Sequence, residues 1–463
     1  MEYRLDLESI ENHFRPKKKS AIGLSHNTPV RIKILPYSTK SKGRGFKSVL
    51  GEFSRLTSYR SHQEKLSAQS LIENVLAKVD LDLVDRTQLI SVIQKLFFNS
   101  NGEIEVFHPI VYNYIPIEQK EQKHIAEFLF DILKAQNLEE LVTANYEQKP
   151  NNILLKLIFE SLPYQDKLKT EERNHYHSTL PYVVEIFQQD FKYLLNDPKL
   201  LIEHYERLLK YYYYYYVSQL VIKLYQMFDA DLSKPVPVYF TLDWEKHTSK
   251  SRTGYIQGWQ QLDKKILKMF SHANCLEFLN HRQDQDHITY NYIDLKKCIE
   301  QMPDEQRNLF RGDLTSLYEF YTSKINDIDW GQFKTSQWEG EIQIIIDFFR
   351  AIDFQFNKSS TRKKPYRDYS DAFMSFCKDN FLKRRGQLGY TLNITQEYLL
   401  FLTRLCIRDA EKIRLKDLFY QFERRGLFLD RDSQQMVIKL FEKLNLLEKK
   451  SDSGDAQYVK AIL

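Results

Sequence analysis

Cysteine, proline and glycine are all scarce in this 463-residue chain, at 4, 13 and 14 residues, and each shortage excludes something. Cys275, Cys298, Cys377 and Cys406 lie far apart and share no metal-ligand spacing, so they read as free thiols in a reducing compartment rather than a disulfide framework. Few breakers and many long side chains favour a mainly helical protein. No apolar run approaches the roughly 20 residues of a membrane span. Met1–Ile10 alternates charged with apolar residues, unlike a signal peptide. A cytoplasmic location without a membrane partner is expected.

Catalytic signatures are missing as well. No G-x-x-x-x-G-K-[ST] run occurs. Ser41–Lys47 has two glycines but neither the spacing nor the Lys-Ser/Thr pair of a nucleotide loop. There is no H-E-x-x-H, no G-x-S-x-G and no kinase set. His175-Tyr-His177 could ligate a metal, but it stands in a polar stretch with no Cys/His cluster, which suits surface histidines better. Asp243, Glu245 and Lys246 offer the residue types of a metal-dependent nuclease without a convincing preceding Asp on a strand. A non-enzymatic chain with no cofactor and no metal is expected.

What the chain has is charge asymmetry, aromatics and helical period. The composition, 42% hydrophobic and 28% charged, is that of a globular protein, and the length suits two to four domains. The formal net charge is only +5, yet the stretch Arg15–Arg60 carries twelve Lys/Arg against Glu52 alone. Lys17, Lys18, Lys19, Lys40, Lys42 and Arg44 dominate it. Such a stretch suits either a polyanion-binding arm or a solvated arm that keeps the protein soluble. Within it Val30–Ile34 alternates like an edge strand. A second basic stretch spans Lys358–Arg385, and its tract Lys358–Pro365 has nothing apolar to bury, as in an exposed loop or linker.

Helical periodicity marks Ala68–Val79, Arg86–Phe98, Gln119–Ala135, Asn152–Glu160 and Thr179–Leu195, then Trp259–Phe270, Asp294–Gln301, Pro303–Ile325 and Gly340–Ile352. The segment Pro198–Phe228 reads as one long helix interrupted by nothing, although Tyr211–Tyr216 are six consecutive tyrosines. Six residues cover every face of a helix, so the run is either a central helix packed on several sides or a base-stacking surface. Four segments follow: a basic arm (1–60), a helical domain (61–235), a second helical domain with a basic loop (236–390) and a C-terminal domain (391–463).

The last segment carries the strongest pattern. Thr395 caps a helix through Leu402 and Cys406, and a second helix spans Arg414–Arg425 with Gly426 as its left-handed terminator. Asp432 reads as the cap of a third, Ser433–Leu444, with Val437, Leu440, Phe441 and Leu444 inward. Two short strands around a Ser/Asp/Gly turn end the chain. Three helices and a hairpin in this order predict a winged helix. Its outward residues Arg431, Gln434, Gln435, Ile438, Lys439 and Lys443 and the wing's Lys449 and Lys450 suit double-stranded DNA. Asp430, Asp432, Glu442, Glu448, Asp452 and Asp455 dilute that charge and keep a protein-docking role open.

The segments Leu208–Leu220, Gly386–Leu400 and Leu444–Val459 together resemble the DptG (also DndG) family, the G components of bacterial DNA phosphorothioation-dependent restriction systems. That resemblance implies antiviral defence alongside the F and H components, with nucleotide-driven work done by those partners. It assigns no catalytic residue. The expectation is a mainly α, multi-domain, DNA-binding or scaffolding subunit. Its rivals are a protein-docking adaptor without DNA contact and a divergent nuclease.

Overall fold

Long stretches between breakers, begun by well-placed caps, make this chain helical. The computed structural model describes residues 3–16, 23–26, 28–38, 45–61, 66–134, 138–168, 175–246, 249–283, 288–449 and 457–462, and it is 62% helical. The first half runs α1 (Leu7–Phe14), α2 (Lys47–Ser58), β1 (Arg60–Ser61), α3 (Ala68–Leu76), α4 (Leu83–Phe97), α5 (Lys120–Leu133), α6 (Leu138–Tyr146), α7 (Ile153–Glu160), β2 (Asp166–Lys167), α8 (Pro181–Leu195) and α9 (Pro198–Gln226). The middle continues with β3 (Tyr239–Leu242), α10 (Thr253–Ile256), α11 (Trp259–Ile266), α12 (Met269–Leu279), α13 (Tyr292–Gln301), α14 (Asp304–Lys324), α15 (Glu341–Lys358) and α16 (Lys363–Asn380). The end comprises β4 (Leu382–Arg384), β5 (Tyr390–Ile394), α17 (Gln396–Ile407), β6 (Lys412–Arg414), α18 (Leu415–Arg424), β7 (Phe428–Leu429), α19 (Arg431–Lys443), β8 (Leu447–Lys449) and β9 (Gln457–Lys460). Caps set many of the starts: Asp82 accepts the amides of Val84 and Asp85, and Asn291 those of Ile293 and Asp294.

One contiguous apolar core reaches from Tyr3 to Val459 and draws on all four segments read from the sequence. A smaller core joins α3, α4 and α7. The described part of the basic stretch is built into the main core. Every residue of α2 except Lys47 is buried. Buried Arg55 pairs with Glu52 at 2.8 Å and donates to the carbonyls of Asn113 and Ile115. Val30–Ile34 forms no strand, because Ile32 and Ile34 are plugged into the core as irregular chain. Nor is Lys358–Pro365 a linker. Ser359 is buried and donates to Asp327 at 2.6 Å, and Lys363–Pro365 form the first turn of α16. The helix expected over Trp259–Phe270 is split between α11 and α12, and α12 is buried along its whole length.

The main core is built around α9, a 29-residue helix with twenty buried residues. Its six tyrosines are at most 2% exposed, so stacking on bases is not open to them. Buried hydroxyls need partners, and five have one. Tyr211 and Tyr215 donate to the carbonyls of Arg425 (3.0 Å) and Arg424 (2.9 Å), and Tyr212 to the Asp190 carboxylate (2.6 Å). Tyr213 bonds the Tyr37 hydroxyl (2.7 Å), and Tyr216 accepts from the Thr179 amide (2.9 Å). Among the described residues the Tyr214 hydroxyl makes no hydrogen bond of normal geometry. A four-stranded sheet in the order β4-β5-β3-β7 lies against this helix, Phe240 of β3 meeting Tyr214 edge to face at 5.4 Å.

The tyrosines therefore differ in what their hydroxyls contribute. Tyr214→Phe should leave the thermal midpoint unchanged or raise it, whereas Tyr212→Phe, which deprives a buried carboxylate of a donor, should destabilise by roughly 1.5–3 kcal/mol. Tyr213→Ala should cost about 3–5 kcal/mol through the cavity it leaves. Thermal unfolding of the three variants checks the order.

Candidate nucleic-acid interface

The C-terminal helices follow the expected order with one strand more. Thr395 caps α17, accepting the Tyr398 amide at 3.2 Å. After α17 comes β6, a strand that no local sequence pattern marks, then α18, β7 and α19. Strands β8 and β9 form the terminal antiparallel pair, and β6 joins it in the order β6-β9-β8, with Ile413 opposite Val459 and Leu447 opposite Val459. Gly426 stops α18 at φ 79°. A Cβ there would also fall on the Tyr215 ring. The cap of α19 is Asp430, not Asp432: its side chain accepts from the Ser433 amide at 3.0 Å. Val437, Leu440 and Phe441 face inward as expected, but Leu444 is exposed, since α19 ends at Lys443 and the chain turns away there.

Two buried ion-pair networks hold these elements to the body. Asp190 of α8 is fully buried and takes two bonds from Arg425 (2.8 and 2.6 Å), one from Arg408 (3.1 Å) and the Tyr212 hydroxyl. Such an arrangement offsets desolvation because both carboxylate oxygens are fully used. The second centres on Arg252, just before α10. It grips Asp430 through two bonds (3.0 and 2.5 Å) and Glu245 through one at 2.8 Å, while Ser433 donates to Glu245 at 2.7 Å. In addition, β7 pairs in parallel with β3, Tyr239 opposite Phe428. The start of α19 is thus locked and its remaining outer face is presented at a set angle.

These contacts account for the acids that clouded the sequence pattern. Asp430 and Asp432 face Arg252, Glu442 pairs with Lys449 at 2.7 Å, and Glu448 pairs with Lys412 at 2.9 Å. Arg431, Lys439 and Lys443 are exposed and have no ion-pair partner among the described residues. Gln435 is exposed beside them. Gln434 is half-buried and donates to the Leu429 carbonyl at 3.1 Å, which removes it from the free face. Ile438 is half-buried against the core. Lys449 is exposed but engaged with Glu442. Lys17, Lys18, Lys19, Lys40, Lys42, Arg44 and Lys450 lie outside the described residues.

The candidate catalytic residues do not assemble. Asp243 pairs with Lys383 at 2.6 Å, and Glu245 is buried in the Arg252 network, so the two carboxylates serve different cations. His175 bonds Asp131 at 2.9 Å while His177 bonds Thr289 at 3.1 Å, each occupied on its own. Among the described residues no helix is long and apolar enough to cross a membrane.

Within the Arg252 network, the fold shifts the titration of the Asp430 carboxylate. Burial pushes the Asp430 carboxyl up, but hydrogen bonds from Arg252 and from the Ser433 and Gly254 amides outweigh it and hold the group below its ordinary 3.8. A depressed folded-state value contributes stability that is complete above 3.8 and disappears as pH falls through the folded value. Hydrogen exchange should therefore show α19 losing protection below that pH, with the acid limb flattened in Asp430→Asn.

No protein-family model matches this chain, and none of the curated proteins compared with it does.

Proposed function

We propose that this chain is a non-catalytic, DNA-engaging subunit of a phosphorothioation-dependent restriction complex, working in the cytoplasm beside F and H components. The observation that carries the DNA part is the outer face of α19. Among the described residues Arg431, Lys439 and Lys443 stand free of ion pairs while every acid on α19 and β8 is taken up internally. The order helix, strand, two helices and antiparallel pair supports a winged helix, in which the third helix enters the major groove and the wing follows the backbone. Exposed Gln435 would then meet base edges and the cations phosphates. The charge count of Lys17, Lys18, Lys19, Lys40, Lys42 and Arg44 supports a second, sequence-independent contact. The family and its partners rest on the resemblance of Leu208–Leu220, Gly386–Leu400 and Leu444–Val459.

The nuclease alternative is disfavoured by the separate engagement of Asp243 and Glu245. The adaptor alternative draws on a different observation. Leu83, Val84 and Leu96 of α4 and Ile153 of α7 are 61–86% exposed, and exposed apolar side chains on helices suit protein contact where they form a patch.

Titration of duplex DNA against salt tests the reading. Removing one phosphate-binding side chain should lower the slope by roughly 0.9, so Arg431→Ala/Lys439→Ala/Lys443→Ala should lower it by about 3 and weaken all sequences alike. Gln435→Ala should act only at preferred sites, by about 1–3 kcal/mol. An unaltered slope with loss of partner pull-down would hand this face to the adaptor reading.

A further inference from the structure

Away from the DNA-facing helix, three side chains from distant parts of the chain converge. His13 near the end of α1, Glu277 on α12 and His281 just beyond it place one ligand atom each within 4.8 Å of one another. Among the described residues no other group of three or more metal-ligating side chains does so. Both imidazoles address the same oxygen: His13 Nε2 is 3.5 Å and His281 Nε2 3.8 Å from Glu277 Oε1. Glu277 and His281 are 1% exposed at the side chain and His13 24%.

Backbone and hydroxyl groups hold the cluster as outer partners hold a coordination sphere. Glu277 Oε2 accepts the amides of Arg31 (3.0 Å) and Ile32 (3.2 Å), which orients the carboxylate. Oε1 shares the Arg31 amide at 3.2 Å and turns its other side toward the histidines. His281 Nδ1 meets Ser9 Oγ at 3.0 Å. When this hydroxyl, which also accepts from Arg31 Nη2 at 3.0 Å, accepts from Nδ1–H, the Nε2 lone pair is left for a metal, as with the outer partners of metal-bound histidines. That Nε2 is buried and makes no hydrogen bond of normal geometry among the described residues, with Glu277 Oε1 3.8 Å away. A buried ring nitrogen left without a normal hydrogen bond needs an explanation. The two distances to Glu277 Oε1, 3.5 and 3.8 Å, are a few tenths of an ångström wider than the roughly 3.3 Å between ligand atoms of a tetrahedral ion. The full 4.8 Å spread of the group exceeds it by roughly 1.5 Å, so binding draws His13, the most exposed of the three, inward.

We propose that His13, Glu277 and His281 bind a divalent first-row transition ion, zinc by the chemistry of the set. Two imidazoles and a carboxylate suit zinc and its neighbours and not magnesium or calcium, which take oxygen ligands. The ion pins α1 to α12, beside the Phe14–Phe278 stack (3.7 Å between ring centroids), and its remaining position opens on the solvent side where His13 lies. Its role is to fasten the N-terminal segment to the core.

The test uses the full, untagged chain, stripped of metal and titrated with cobalt(II) as a spectroscopic probe and then with zinc. One equivalent should bind with visible d–d bands, zinc should displace it, and either ion should raise the unfolding midpoint. His13→Ala, compared with its own metal-free midpoint, should lose the bands and the shift. Ser9→Ala should weaken binding by about 10–100-fold while keeping the bands. Absence of bands and shift with excess cobalt or zinc, or wild-type binding by His13→Ala, would overturn the assignment.

Discussion

Six adjacent buried tyrosines on one helix impose a constraint that the rest of the structure answers. A hydroxyl carried into the core calls for a partner there, and five of the six find one although the six point in all directions around α9. The partners come from far along the chain. Tyr37 answers Tyr213, Thr179 answers Tyr216, Asp190 answers Tyr212, and the carbonyls of Arg424 and Arg425 answer Tyr215 and Tyr211. A helix that would be a poor surface element thereby becomes the axis on which both ends of the chain meet.

The end of α18 shows how this axis reaches the candidate interface. Tyr211 and Tyr215 engage its last carbonyls, Gly426 leaves room for the Tyr215 ring, and Arg425 turns its guanidinium onto Asp190. Arg252 then fixes the start of α19. A charged helix face is useful for recognition only when its angle is set by rigid surroundings, and here buried ion pairs on both sides set it.

Legibility in the sequence followed the physics of burial. Helices with one apolar stripe, such as α8, α14 and α17, announce themselves by period. Helix α12, enclosed on all sides, carries no stripe and leaves little periodic signal, whereas α2 has an apolar stripe at Val49, Leu50, Phe53 and Leu56 that its basic surroundings in the sequence obscured. The short strands β3, β5 and β7 pair across more than a hundred residues, so no local pattern marks them. On α19 the spacing places Arg431, Gln435 and Lys439 outward correctly, yet points to Asp432 as the cap because both Asp430 and Asp432 precede the apolar period. Which acids neutralise which cations was illegible, since Arg252, Glu245 and Asp190 lie far from their partners in sequence.

If α19 and the wing form the surface that meets DNA, α9 stays enclosed while they are covered. Hydrogen–deuterium exchange of the full chain, with and without a saturating duplex at low salt, tests this directly. New protection should fall on Arg431–Lys449, with the amides of Tyr211–Tyr216 already protected and unchanged. Protection confined to other segments, or none on α19 while duplex is bound, would contradict it.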